Sequence, residues 1–346
     1  MKKSLHQVSG YALLGDELAL HPVDIFIENG TITAIEDNPR APFVWICPAL
    51  YNAHTHLGDT IAMDCGTTGD LEALVTPPDG LKHRLLRAAS RQDLVGGMRA
   101  SMERMIATGT AGCADFREGG ADGVLALREA AEGLSFVPFV FGREGGETIA
   151  GGLGISSVRD VPDTERQVRD AKREGKKIAF HAGERDAADI DTALLYEPDL
   201  LIHMTHATKK QLRECAEKEI PIAVCPRSNW TLGVASSRRH PPLALMEELG
   251  CTVCLGTDNA MFVPPDLFSE MAFVSTVYQP EPAVVLRAAV QGSAVFGSSF
   301  FIRTGERANL FIIDPARSSL RFSRDPLATL AKRANSTLIR TNVFSL

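Results

Sequence analysis

The feature that most constrains this chain is an alternation. Eight β-rich runs lie between Trp45 and Gly256: Trp45 to Leu50, Thr110 to Phe116, Ser135 to Phe141, Leu153 to Ser157, Lys177 to His181, Asp199 to His203, Ile220 to Cys225 and Cys251 to Gly256. Stretches of helical periodicity separate them. Ser90-x-x-Asp93 has the form of a capping box, and Leu94, Met98, Met102 and Met105 then recur at helical spacing until Gly109. Asp163 to Glu174 stops at Gly175, Thr208 to Glu219 stops before Pro221, and Pro241 to Leu249 stops at Gly250. Eight such units over about 250 residues predict a closed (β/α)8 TIM barrel. An open doubly wound sheet is the alternative, but no GxGxxG follows a strand to support it. Ala62 to Gly80, rich in Gly, Thr, Pro and Asp, reads as a loop over the barrel mouth.

Both chain ends are β-like. Val23 to Ile27 and Thr31 to Ile35 flank Asn29-Gly30, a strong hairpin cue. Ala308 to Ile313 is a further strand, stopped by Asp314-Pro315. Neither piece is long enough to bury a core alone. The expected organisation is a small β-sandwich built from residues 1–46 and 300–346, with the barrel at 47–299.

Composition then excludes whole classes. The 346 residues carry 36 Lys and Arg against 43 Asp and Glu, a formal charge of −7, which argues against a nucleic-acid binder. No window approaches 18 consecutive apolar residues, so no membrane span is expected, and Met1 to Asp16 lacks a signal-peptide apolar core. A cytoplasmic location is the expectation. Seven scattered cysteines make no disulfide framework. Cys251 and Cys254 are three apart on a strand and face opposite ways, so they read as packing residues.

In a barrel, chemistry sits at the carboxyl ends of the strands. The first run is followed by Asn52-Ala-His54-Thr-His56, and two histidines two apart on a strand face the same side and can reach one ion. The fifth ends in His181-Ala-Gly-Glu184, the sixth in His203-Met-Thr-His206, the eighth in Asp258-Asn259. A single strand-ending histidine is usually structural; five or six ligand or acid–base groups on different strands are hard to explain that way.

This pattern resembles the amidohydrolase superfamily over nearly the whole chain. The His181-x-x-Glu184 motif and Cys225-Pro-Arg-Ser-Asn229 are similar to its adenosine, cytosine and chlorohydrolase-like deaminase branch. The resemblance implies one divalent ion held by His54, His56, His181 and Asp258, with Zn²⁺ expected and Fe²⁺ the alternative. The short fourth strand has no lysine to bridge two ions. It further implies that His203 and Asp258 orient a water and relay its proton, that Glu184 is the general acid, and that Asn229 and Asn259 contact substrate. His206 is expected in a supporting or structural role.

The implied activity is a hydrolytic deaminase of an aminated heterocycle, of purine, pyrimidine or pterin-like type, releasing ammonia. A hydrolase expelling a different leaving group, and a non-catalytic barrel, are the competing readings. The expected partner is a small molecule, and a homo-oligomer is left open. Arg117, Arg143, Arg185 and Arg227 follow four different strands at the mouth end, which suggests an anionic substrate group with Arg117 and Arg143 as contacts. The plain competitor is that neighbouring acids, Glu118, Glu144, Glu184 and Asp186, pair with them.

Overall fold

A computed structural model describes residues 5–65 and 71–344. Nine hydrogen-bonded parallel segments make the barrel: Leu50–His56, Thr110–Arg117, Val137–Gly142, Gly152–Ile155, Lys177–Ala182, Leu200–His203, Ile222–Val224, Val253–Leu255 and Asp258–Asn259. The last two are one interrupted eighth strand. Val253–Leu255 pairs with the seventh strand, and Asp258–Asn259 pairs with the first, Asp258 opposite Thr55 and Asn259 opposite His56. Between them Gly256 lets two backbones meet, since a Cβ there would lie 2.7 Å from the Cβ of His54.

The strands read as they do because parallel barrel strands are covered on both sides. All eight residues of Thr110–Arg117 are buried. Phe116, Phe141, Phe180, Leu153 and Ile202 are fully buried members of one core cluster. Outside, Ser90 caps Arg91–Ala107 by accepting from the Asp93 amide, and Thr208 with Gln211 forms a full capping box on Lys209–Glu217.

The terminal segments build a six-stranded mixed sheet in the order Ile339–Phe344, Asn309–Ile313, Trp45–Pro48, Leu5–Leu14, Ala19–Glu28, Thr31–Asp37. Val23, Ile25 and Ile27 alternate onto its buried face. The Asn29-Gly30 turn takes positive φ at both residues, as a tight hairpin requires.

Two expectations shift. The apolar run from Trp45 is not one barrel strand: Trp45–Pro48 pairs with Leu5–Leu14 and Asn309–Ile313, and the barrel begins at Leu50, so the crossing falls at Ala49 rather than between 46 and 47. The expected mouth loop, Ala62 to Gly80, follows a 3-10 helix at Leu57–Ala62 and itself holds a helix at Leu71–Val75, while its residues 66–70 lie outside the described residues. All seven cysteines are free thiols. Among the described residues no helix is long and apolar enough to cross a membrane.

Candidate metal centre and active site

His54, His56, His181, His203, Asp258 and Glu184 converge at the carboxyl ends of the first, fifth, sixth and eighth strands. Donor atoms of His54, His56 and Asp258 lie within 4.8 Å of one another, as do those of His54, His181 and His203, and of Glu184, His203 and Asp258. His54 Nε2 is 3.1 Å and His56 Nε2 3.6 Å from Asp258 Oδ1.

Backbone geometry brings two of these groups in. In-register neighbours share a face, and Asp258 pairs with Thr55, which points away from His54 and His56. His203 pairs likewise with Ala182, one residue past His181. Both Asp258 (φ 61°) and His203 (φ 71°) take left-handed backbone, uncommon without glycine, which turns their side chains to the histidine side. Such conformations cost about 1–3 kcal/mol each and cluster at functional sites.

Hydrogen bonds behind the ring of histidines fix which nitrogens face inward. His56 Nδ1 is 2.9 Å from Glu118 Oε1, and His181 Nδ1 is 2.9 Å from the Ile155 carbonyl. Both partners only accept, so each proton sits on Nδ1 and each Nε2 keeps a lone pair. Burial drives His54 to a pKa of about 4 and His56 to about 3, and holds His181 well below its ordinary value, so all three are neutral at pH 7. Burial opposes the charge of Asp258, but the contact with His54 and the nearness of His203 and His56 hold its carboxyl well below the usual range. Ser228 Oγ donates to its Oδ2 at 2.6 Å. His56, with its proton on Nδ1, turns the lone pair of Nε2 to Asp258 Oδ1 at 3.6 Å, an acceptor facing an acceptor, and the buried Nδ1 of His54 has no hydrogen-bond partner among the described residues. A cation among them resolves that conflict, and an N₃O donor set suits Zn²⁺ or Fe²⁺.

Glu184 stands across this cluster, its Oε2 3.6 Å from His203 Nε2. Burial raises its pKa, and the charge of Asp258 adds to the effect. His203 Nδ1 is 3.1 Å from Asn229 Oδ1, and Asn229 Nδ2 donates to Thr205 Oγ1 at 2.6 Å. The cavity above is lined by His56, His181, Glu184, His203, Asp258 and Asn259, together with Lys82, His83, Arg143 and Arg185.

Several sequence expectations are redistributed. Asn229 is fully buried with both ends of its amide engaged, so it orients His203 instead of meeting substrate. Asn259 does line the cavity, although its Oδ1 accepts from the Met261 amide. Arg117 is not at the cavity: its Nη1 lies 3.2 Å from Asp115 Oδ1 and its Nη2 2.6 Å from Glu118 Oε2. Arg227 is held by Glu270 at 2.6 Å. Arg185 reaches Thr76 and Asp160 at the rim. His206 stacks near His240, ring centroids 5.0 Å apart, away from the donor cluster.

The sequence reading missed Lys82, on the helix Leu81–Ala88. Its buried ammonium lies 2.9 Å from both Asp59 Oδ2 and Glu118 Oε1. It thereby ties the mouth helix to the carboxylate that orients His56. Replacing Lys82 with Met leaves two buried carboxylates short of a counter-charge. Chemical denaturation of the metal-free protein is expected to show a loss of about 3–5 kcal/mol, the usual cost of breaking a buried pair from one side. A loss under 1 kcal/mol would mean that water already screens the cluster.

Comparison with known proteins follows the same lines. The amidohydrolase family model matches residues 45–174 and the adenosine deaminase model residues 152–297. A putative aminohydrolase of Methanothermobacter thermautotrophicus is 32% identical over 95% of this chain and 94% of its own. The chain belongs to the amidohydrolase family. It is therefore a hydrolase of carbon–nitrogen bonds other than peptide bonds. A 5-methylthioadenosine/S-adenosylhomocysteine deaminase of Halobacterium salinarum is 26% identical over 97% of this chain and 90% of its own. Among solved structures, the zinc complex of atrazine chlorohydrolase TrzN from Arthrobacter aurescens superposes with a TM-score of 0.81 at 17% identity, covering 98% of this amidohydrolase and 94% of that chain. This last likeness shows the fold, a TIM barrel with a sheet from the termini.

Proposed function

We propose that this amidohydrolase is a hydrolytic deaminase of an aminated heterocycle, dependent on one divalent ion, Zn²⁺ in first place. The observation that carries the reading is the pairing of two unlike groups over one cation site. Glu184 has a carboxyl whose pKa burial raises, and it faces His203 3.6 Å away, beside the ionised Asp258. Two carboxylates pushed in opposite directions mark an acid and a base.

His54, His56, His181 and Asp258 would hold the ion. When bound, it supplies Lewis acidity, bringing the ionisation of water from about 15.7 down toward about 7. The residues do the rest. His203, oriented by Asn229, presents Nε2 to accept a hydrogen bond from the attacking water. Asp258 takes the water's proton, with Ser228 holding its other oxygen. Glu184 protonates the ring nitrogen next to the amino-bearing carbon, so that this carbon accepts the new C–O bond. The proton on Asp258 then passes to the amino group. The C–N bond breaks, ammonia leaves, and the remaining hydroxyl proton returns to Glu184, so that the ring carries a carbonyl oxygen in place of the amino group.

The test is ammonia release from zinc-loaded protein over aminated purines, pyrimidines and pterins. Stoichiometric ammonia and an oxygenated ring are expected from at least one class. Turnover of chlorinated or alkylamino rings alone, without ammonia from any amino ring, would replace the deaminase reading by one with another leaving group.

A further inference from the structure

Arg143 lines the cavity with two other cations, Lys82 and Arg185, and the mechanism leaves all three unused. It follows the third strand in the turn Gly142 to Gly146, and this turn is tightly built. A Cβ on Gly142 would lie 2.3 Å from the carbonyl carbon of Gly146, and Glu144 takes left-handed backbone at φ 58°. The Gly146 amide closes the turn onto the Arg143 carbonyl at 2.9 Å, and Glu144 Oε2 accepts from the Gly119 amide. The side chain, 11% exposed, lies across Phe116 with Cζ 5.8 Å from the ring centroid. Phe116 in turn packs against His54 and His181. The guanidinium is therefore placed a single aromatic ring away from the metal ligands.

Its hydrogen bonds are incomplete. Nη1 faces Glu118 Oε1 at 3.8 Å, beyond a good hydrogen bond, while Nε and Nη2 are buried and have no hydrogen-bond partner among the described residues. Those two nitrogens form the side-on edge of the guanidinium, whose parallel N–H groups match the two oxygens of a carboxylate or phosphate. Leaving charged donors unpaired in a buried place is costly. The other cations of the neighbourhood are already satisfied: Arg117 by Asp115 and Glu118, Lys82 by Asp59 and Glu118, Arg185 by Asp160 and Thr76.

We infer that the cavity takes a substrate bearing an oxyanion, which docks on the Nε/Nη2 edge of Arg143 while the reacting ring sits over the donor cluster. The inference deepens the deaminase reading and rests on it for the reacting end of the substrate. Two donors suit the two oxygens of a carboxylate; a phosphate offers the same edge with more charge. Arg117, which the sequence grouped with Arg143, is left out because it is a positioning residue for Glu118.

The experiment uses zinc-loaded protein and matched triplets of each aminated ring: neutral, carboxylated and phosphorylated. Binding is measured by calorimetry and turnover by ammonia release. Wild type is expected to bind one acidic member at least about 30-fold more tightly than its neutral partner. Arg143→Met should collapse that ratio, and Arg143→Lys, which keeps the charge but loses the fork, should leave an intermediate one. Comparing the carboxylated and phosphorylated arms identifies the oxyanion. Equal binding of acidic and neutral members, no binding of either, or a ratio retained in Arg143→Met would overturn the inference. Because the ratio compares two ligands on one protein, a general loss of folded protein does not mimic the expected result. Ammonia without anion preference would sink this inference and leave the deaminase reading standing. Arg143-dependent anion binding without ammonia from any ring would do the reverse.

Discussion

Glu184→Gln is expected to keep its metal and its substrate affinity while kcat falls by about 10²–10⁴-fold, the usual contribution of a positioned acid–base group. The substitution preserves shape and hydrogen-bonding reach but removes the transferable proton. Glu184 is not part of the His54, His56 and Asp258 donor group and faces His203 at 3.6 Å, so the ion should remain bound. The kinetic signature is a fall in kcat and kcat/KM together, with KM little changed, which marks an interaction made only in the transition state. Steady-state kinetics with metal analysis of the same sample check it. A variant within threefold of wild type would place the acid elsewhere in the cavity.

Much of this site is legible in the sequence because strands convert spacing into direction. His54 and His56 are two apart and must share a face, and the run before His203 ends where chemistry is expected. The same rule fails for Asp258 and His203 themselves. Regular pairing with Thr55 and Ala182 would turn both away, and only the left-handed backbone at each brings them in. Asp and His are enriched in that conformation, but it is uncommon even for them, so neither residue announces it in the sequence.

Charge is the other limit. Arg117 and Arg143 are equivalent on paper, each following a strand and each preceding a glutamate. The fold gives Arg117 two carboxylates within 3.2 Å and leaves two nitrogens of Arg143 without a hydrogen-bond partner among the described residues. Lys82 could not be found at all, because its partners Asp59 and Glu118 lie on separate elements, and the sequence shows it only as one polar residue in a short helix. The boundary at Ala49 was hidden for a simpler reason. Trp45–Pro48 and Leu50–His56 are both fully buried, so apolar continuity runs across a change of sheet.

Removing the metal should have the largest effect of all. Without a cation, His56 presents a lone pair to Asp258, and no group among the described residues of the cavity brings water's ionisation near neutral pH. Chelation is expected to abolish ammonia release while the barrel stays folded, since the core cluster does not pass through the donor atoms. Asp258→Ala should lower metal affinity at least tenfold, because it removes the one anionic ligand facing two neutral imidazoles.

The decisive measurement is a titration of the chelated protein with Zn²⁺, following ammonia release and metal content in parallel. The account predicts activity rising linearly to a plateau at one ion per chain, with no further gain from a second equivalent. Full activity in metal-free protein, or a plateau reached only at two ions per chain, would contradict it.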